Sequence, residues 1–341
     1  MVTVALAMLS CGDKAYTDLE VKAFAEKICN PGIVLLDVRT AEEYAEGHLK
    51  GAANVDWYGS DFLDKIEAEY PKATPLAIYC RSGKRSAAAA EKLSGAGYTV
   101  YNMLGGYLAW TEAGMPITKY EVEIFHTDGG RPVAITLVKH SSLEIGYDGL
   151  SIQVDPVSGL GKPTDYYVEF PKADVILVTH EHGDHFDKEA IEALTGERTI
   201  IVTNPRCAEL LGRSGLVLAN GDATTLPGNI KLEAVPAYNT TEGHLQFHPE
   251  GRDNGYVLTI DGLRIYIAGD TEDIPEMAEL KDIDIAFLPV NQPYTMTVVQ
   301  CVRAARTISP KVLIPYHFSK TDISSLPASL PGIKVLLRQM Q

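Results

Sequence analysis

Thr179-His180-Glu181-His182-Gly183-Asp184-His185 is the stretch on which the reading of this chain turns. It follows the apolar run Ala173-Asp174-Val175-Ile176-Leu177-Val178, so the polar cluster opens where a buried strand should end. Neutral imidazole is the commonest side-chain ligand for zinc and iron, and carboxylates complete such sites. Nine histidines in 341 residues would rarely crowd three imidazoles into six positions by chance. On a loop leaving a strand, His180 and His182 at i and i+2 point to one side and can pinch one ion. Asp184 and His185 follow the loop round and can reach a second. The segment reads as a metal site.

Later residues extend the pattern. Asp270 closes the strand-like Leu263-Arg264-Ile265-Tyr266-Ile267-Ala268-Gly269, and His317 follows Val312-Leu313-Ile314-Pro315-Tyr316. In this order after His-x-His-x-Asp-His, they resemble the metallo-β-lactamase superfamily. The resemblance implies an αββα sandwich, with His180, His182, Asp184, His185, Asp270 and His317 as metal ligands and Asp270 as the bridge. It also implies one or two divalent ions, zinc first, with manganese or iron as the other choices. Asp155, in Val154-Asp155-Pro156, resembles a family aspartate that orients the histidine loop rather than binding metal. His140, in Lys139-His140-Ser141-Ser142, resembles a histidine near the site entrance in the ascorbate-phosphate-lactonase-like branch; an ordinary strand histidine is the competing reading. One family ligand is displaced. Where the superfamily supplies a further histidine, Val235-Pro236-Ala237-Tyr238-Asn239-Thr240-Thr241 offers Asn239. His244 and His248 lie just downstream, and either substitutes if the loop folds back.

A second chemical centre sits earlier. Leu76-Ala77-Ile78-Tyr79 is a short apolar run, followed by Cys80-Arg81-Ser82-Gly83-Lys84-Arg85-Ser86 and a helix-forming stretch from Ala87 to Leu93. A cysteine between a strand and a helix N-terminus meets backbone N–H groups and the positive end of the helix dipole. With Arg81, Lys84 and Arg85 beside it, that setting favours thiolate over thiol and argues against a buried apolar environment. The flanks Asp37-Val38-Arg39-Thr40-Ala41-Glu42-Glu43-Tyr44, Gly47-His48-Leu49-Lys50-Gly51-Ala52 and Gly105-Gly106-Tyr107-Leu108-Ala109-Trp110 resemble the rhodanese domain. The likeness implies sulfur transfer through a Cys80 persulfide, with Arg81, Lys84 and Arg85 steadying an anionic donor and Asp37 and Arg39 mainly architectural. Four residues separate Cys80 from Arg85. The related dual-specificity phosphatases have five, sized for phosphate, so the shorter loop favours sulfur.

A chain of this length suits two domains, each able to bury a core. The break is expected at Gly114-Met115-Pro116-Ile117-Thr118-Lys119-Tyr120, where a helical pattern ends and a proline follows closely on a glycine. The expectation is an α/β rhodanese domain over 14–118, a parallel sheet flanked by helices, followed by an αββα metallo-β-lactamase sandwich over 121–341. Upstream, apolar runs such as Ile33 to Leu36 alternate with helical stretches such as Leu19 to Ile28. Downstream, strands are expected at Val133 to Val138, Leu143 to Gly146, Ile152 to Asp155 and Val175 to Thr179. Helices are expected at Lys188 to Leu194 and Thr297 to Ile308. Asp148-Gly149 and Asp261-Gly262 read as hairpin turns. No internal repeat is visible.

Charge works mainly by exclusion. The net charge is −15, with 18 Lys+Arg against 30 Asp+Glu after residue 120. Such a chain lacks the basic footprint of nucleic-acid binding, which lowers a nuclease reading. The cysteines, Cys11, Cys29, Cys80, Cys207 and Cys301, are too scattered for a disulfide framework. Cys29, Cys207 and Cys301 read as core residues. Residues 1–13 contain an apolar run ending at Cys11 and resemble the tail of a bacterial lipoprotein signal. That implies a lipid on Cys11 and a place in the cell envelope or periplasm. The run is too short to span a bilayer and lacks a positively charged start, so a cytoplasmic protein with an apolar N-terminal strand is the alternative.

The function expected is a bifunctional enzyme on small molecules, with a sulfur donor and acceptor in one half. In the other, a metal-activated hydroxide would attack an ester, lactone, thioester or phosphodiester, with Asp184 at the chemistry. The first alternative is a non-heme iron persulfide dioxygenase coupled to a rhodanese, against which Asn239 stands where a histidine is needed. The second is a non-catalytic sulfur carrier with a degenerate metal domain.

Overall fold

The computed structural model describes residues 15–30, 32–158, 167, 170–212, 215–338 and 340. The lipoprotein reading of Cys11 falls outside them. The chain divides into two units, Met1–Tyr120 and Glu121–Gln341.

The first unit runs β1 (Thr17–Leu19), α1 (Val21–Ile28), β2 (Val34–Asp37), α2 (Ala41–Ala45), β3 (Ala53–Asn54), α3 (Phe62–Glu69), β4 (Leu76–Tyr79), α4 (Lys84–Gly95), β5 (Val100–Met103) and α5 (Gly106–Glu112). Its strands are all parallel, in the order β1-β5-β4-β2-β3. Parallel neighbours need crossovers, and the helices supply them. β4 is buried along its whole length, as a central strand covered on both faces must be. One face packs Ile78 with Ile66, Ala89 and Leu93; the other packs Ala77 and Tyr79 with Phe24, Met103 and Trp110. Asp37 and Arg39 form a buried fork, with Nη2 of Arg39 2.6 Å from Oδ2 of Asp37 and 2.7 Å from the Gly47 carbonyl. That pair staples the β2 end to the following loop, as expected of an architectural role. Cys29 corrects the core reading: it is exposed, at the C-terminal cap of α1, whose buried residue is Phe24. Cys207 and Cys301 are buried.

The second unit holds two seven-stranded sheets. The first comprises β6 (Glu121–His126), β7 (Pro132–Lys139), β8 (Ser142–Tyr147), β9 (Leu150–Val154), β10 (Ala173–Leu177), β11 (Thr195–Thr203) and β12 (Leu216–Val217), in chain order across the sheet. The second comprises β13 (Ala223–Leu226), β14 (Ile230–Ala237), β15 (Asp253–Ile260), β16 (Leu263–Ile267), β17 (Ile285–Pro289), β18 (Val312–Tyr316) and β19 (Lys334–Val335). Alternate residues of both sheets meet in one core: Ile135, Ile145, Val175 and Leu177 from one, Leu232, Leu258, Ile265 and Phe287 from the other. Helices α6 (Lys188–Leu194) and α7 (Pro205–Leu211) follow strands of the first sheet. α8 (Val298–Ile308) and α9 (Leu326–Ser329) belong to the second, where Cys301, Ala304, Ala305 and Ile308 pack under Leu288. The αββα expectation is borne out. Thr297 caps α8 in a capping box with Gln300, and Asp187 caps α6. Asp148-Gly149 and Asp261-Gly262 have positive φ at both residues and close the β8–β9 and β15–β16 hairpins.

The register sets the site. β9 and β10 are parallel, as are β16, β17 and β18, so their C-terminal ends lie at one edge of the sandwich. The β7–β8 and β14–β15 connections turn at that same edge, because Leu143 pairs with Val154 and Ala237 with Asp253.

Candidate metal centre and cysteine loop

Two sets of side chains converge at this edge. His180, His182, His248 and Asp270 form one; His140, Asp184, His185 and His317 form the other. Within each set the offered ligand atoms lie within 4.8 Å of one another. Asp270 also joins them. Its Oδ1 is 3.2 Å from Nε2 of His185, and its Oδ2 is 3.3 Å from Nε2 of His317, 3.4 Å from that of His248 and 3.8 Å from that of His180. Asp184 Oδ2 is 3.3 Å from Nε2 of both His140 and His317.

Behind these atoms stand others that fix the rings. His185 Nδ1 meets Asp155 Oδ2 at 2.7 Å, His248 Nδ1 meets Asp253 Oδ2 at 3.1 Å, and His180 Nδ1 meets Thr179 Oγ1 at 3.0 Å. A carboxylate at Nδ1 holds the proton there and leaves the Nε2 lone pair free for a cation. The backbone contributes too. His140, Asp155 and His317 have φ of 52°, 43° and 48°, a region that non-glycine residues enter rarely and at a cost of about 1–3 kcal/mol each. Such strain concentrates where side chains must be aimed, and the His317 amide donates to the His140 carbonyl, tying two of these loops together.

The donor set fits a metal on one observation above others. Nε2 of His180, His248 and His317 and Oδ1 of Asp270 are buried and make no hydrogen bond. Buried polar atoms are nearly always satisfied, so a converging group of orphans points to an ion as their partner. The electrostatics agree. Burial pushes the His180 imidazole well below its ordinary pKa, which keeps its nitrogen unprotonated. Burial would raise the Asp270 carboxyl, but His317 and His185 outweigh it and hold it ionised. Asp184 is likewise held low, against burial, by the His140 and His317 imidazoles beside it. For His185, burial is outweighed by Asp270 and Asp155, which raise its pKa, so a cation at this ring would have to displace a proton.

All six expected ligands, His180, His182, Asp184, His185, Asp270 and His317, are brought together. Two residues outside that set join them. His248 arrives because the loop does fold back: the Asn239 amide donates to the His248 carbonyl at 2.9 Å. His140 belongs to the second set and is more than an entrance residue. The signal for His248 was the adjacent Arg252-Asp253 pair heading a buried strand, which marks a carboxylate waiting behind a ring. His244 takes no part; its Nδ1 faces Glu272 at 3.6 Å. Asn239 turns its Nδ2 to the Tyr294 and His244 carbonyls.

In the first unit, Cys80 follows β4 and precedes α4, as expected, but its side chain is buried, at 1% exposure. This corrects the argument from neighbouring cations. Arg81 and Lys84 point to solvent, and both nitrogens of the Arg85 fork grip Glu43, at 2.7 and 2.8 Å. The Gly105-Gly106 turn packs against the backbone of this loop. The Tyr107 and Leu108 amides donate to the Cys80 and Arg81 carbonyls, and a Cβ on Gly106 would collide with the Cys80 carbonyl oxygen.

Comparison with known proteins places both halves. Residues 134–317 match the family model of the beta-lactamase superfamily domain, and residues 20–113 match that of the rhodanese-like domain. A crystal structure from Parabacteroides distasonis, assigned to a metal-dependent hydrolase, is 56% identical with a TM-score of 0.62; the match covers 65% of this chain and 100% of that one. A UPF0173 metal-dependent hydrolase of Bacillus licheniformis is 32% identical over 208 residues, 57% of this chain and 90% of the relative. One of Archaeoglobus fulgidus is 30% identical over 180 residues, 50% of this chain and 77% of the relative. With its metal-centre half spanned by that model and its first half by the other, the chain belongs to the beta-lactamase superfamily domain family and carries a rhodanese-like domain ahead of it.

Proposed function

We propose that the second unit is a metal-dependent hydrolase with two ions. His180, His182 and His248 would hold one, His140, Asp184, His185 and His317 the other, and Asp270 would serve both. Divalent ions so placed supply Lewis acidity and a water of lowered pKa, and a pair of them clamps the attacking and leaving oxygens of a displacement. The chain's own part is to aim the ring nitrogens, with burial keeping those of His140, His180 and His182 unprotonated. Asp184, with half its side chain exposed, is the member of the two sets that an incoming ester, lactone, thioester or phosphodiester would meet. The observation carrying this reading is the cluster of buried, unpartnered Nε2 and Oδ atoms. Two four-membered sets also speak against the iron dioxygenase, whose usual signature is one facial triad of two histidines and a carboxylate. The test is metal content of protein purified without added metal, alongside hydrolysis of an ester and lactone panel. Two zinc or manganese ions per chain with hydrolysis support the proposal. One iron, with oxygen uptake on glutathione persulfide, would sink it.

For the first unit we propose sulfane-sulfur transfer through Cys80. Arg81 and Lys84, exposed at the loop, would attract the anionic donor, while Arg85, held by Glu43, shapes the loop. Cys80→Ala should abolish thiosulfate-to-cyanide transfer; unchanged transfer would leave the unit as a binding module.

A further inference from the structure

Arg252 belongs to neither set of ligands, yet it touches two of the three segments that build the first one. Its Nε lies 2.7 Å from Oδ1 and its Nη2 2.8 Å from Oδ2 of Asp253, the carboxylate behind His248. Its Nη1 is 3.1 Å from Oε1 of Glu181, the residue between His180 and His182. Its Nη2 also donates to the Phe247 carbonyl at 2.9 Å. One guanidinium therefore joins the His180–His182 loop to the loop carrying His248.

We propose that Arg252 is a positioning residue that clamps the His248 loop onto the His180–His182 loop and thereby completes one of the two metal sites. The inference rests on the reading of these residues as a metal centre. His248 is supplied by the long connection between β14 and β15, where residues 239–252 form neither helix nor strand. A ligand on such a segment is held only as firmly as the segment is, and loops are the more mobile parts of a fold. Asp253 is fully buried, and Glu181 Oε2 is buried with no hydrogen bond, so both carboxylates depend on this cation to offset the loss of water. The planar fork also matters. It grips Asp253 through two nitrogens and leaves a third for Glu181, a geometry that a lysine ammonium cannot copy.

The experiment uses the full chain, stripped of metal and titrated with Zn²⁺ against a competing chelator. Arg252→Met removes the charge and keeps most of the stem; Arg252→Lys keeps the charge and loses the fork. Wild type should bind two zinc ions. Both variants should hold one at wild-type affinity and the second about 10- to 100-fold more weakly, the usual loss when a partner behind a ligand is removed. His248→Ala identifies the weakened ion, since it should strike the same one. Circular dichroism reports folding, and if Arg252→Met does not fold, Arg252→Lys decides. Both ions bound at wild-type affinity in a folded variant would overturn the clamp. Wild type binding no zinc would be a different failure, that of the metal reading, and the clamp would fall with it.

Discussion

Nδ1 of His185 stands 2.7 Å from Oδ2 of Asp155, and the same carboxylate accepts the Thr179 amide at 2.8 Å and the Thr179 hydroxyl at 2.7 Å. One buried aspartate thus orients a ring directly and a second ring, His180, through Thr179. Asp155→Asn replaces an acceptor by a group that can donate, which turns the His185 tautomer the wrong way. Asparagine tolerates the left-handed backbone at this position, so the fold should persist. Zinc affinity should fall about 10- to 100-fold in chelator competition, with the near-ultraviolet circular dichroism unchanged. Undiminished affinity would remove Asp155 from the support of the site.

Removing metal should also cost stability. Orphaned nitrogens and oxygens at His180, His248, His317 and Asp270 are buried without hydrogen bonds, an expensive arrangement unless a cation joins them. An ion bound only by the folded chain contributes about 2.7 kcal/mol at a hundredfold excess over its Kd. For a domain of this size, that corresponds to roughly 5–10 °C in Tm. Thermal melts with and without chelator should differ by that order and converge when zinc is restored. A midpoint indifferent to chelator and zinc would contradict the assignment.

The two histidines of the β14–β15 loop should behave oppositely. His248 has Nε2 3.4 Å from Asp270 and its Nδ1 on Asp253; His244 faces Glu272 and is a quarter exposed. His248→Ala should lower the metal count by about one ion per chain, and His244→Ala should leave it unchanged. Atomic emission on dialysed protein reads both. Equal losses would mean that the loop, rather than the ring, is what matters.

Much of this was legible from residues alone, for a physical reason. Strand ends are announced by apolar runs, and side chains placed just beyond them, such as those of His180, Asp270 and His317, inherit a predictable position. Helix starts were equally readable at Thr297 and Asp187, whose side chains cap the first turn. What could not be read was the path of a loop. Asp253 and Arg252 lie close by in sequence and hint at His248, but the contact of Arg252 with Glu181, seventy-one positions away, is one that no local propensity encodes. The cysteine loop shows the same limit. Nearby cations suggested an open thiol, but Arg85 turns to Glu43, forty-two positions away, and Cys80 is buried in a loop whose backbone packs against the Gly105-Gly106 turn.

That Glu43–Arg85 pair supplies a pH dependence of stability. The bidentate hydrogen bond from Arg85 is the main cause holding the Glu43 carboxyl below its ordinary value, with burial opposing it. Its folded pKa therefore lies below the unfolded one, near 4.3 for a free glutamate. Between the two values the unfolded chain binds more protons, so stability rises with pH across that window. The contribution is complete above the unfolded value and disappears as pH falls through the folded one. Both side chains are partly exposed, so its size is about 1 kcal/mol at most. Urea unfolding of wild type and Glu43→Gln should show wild type more stable at pH 7 and the two converging near pH 3. A gap that stays constant down to pH 3 would mean that the charge of Glu43 is not what holds Arg85 to α2.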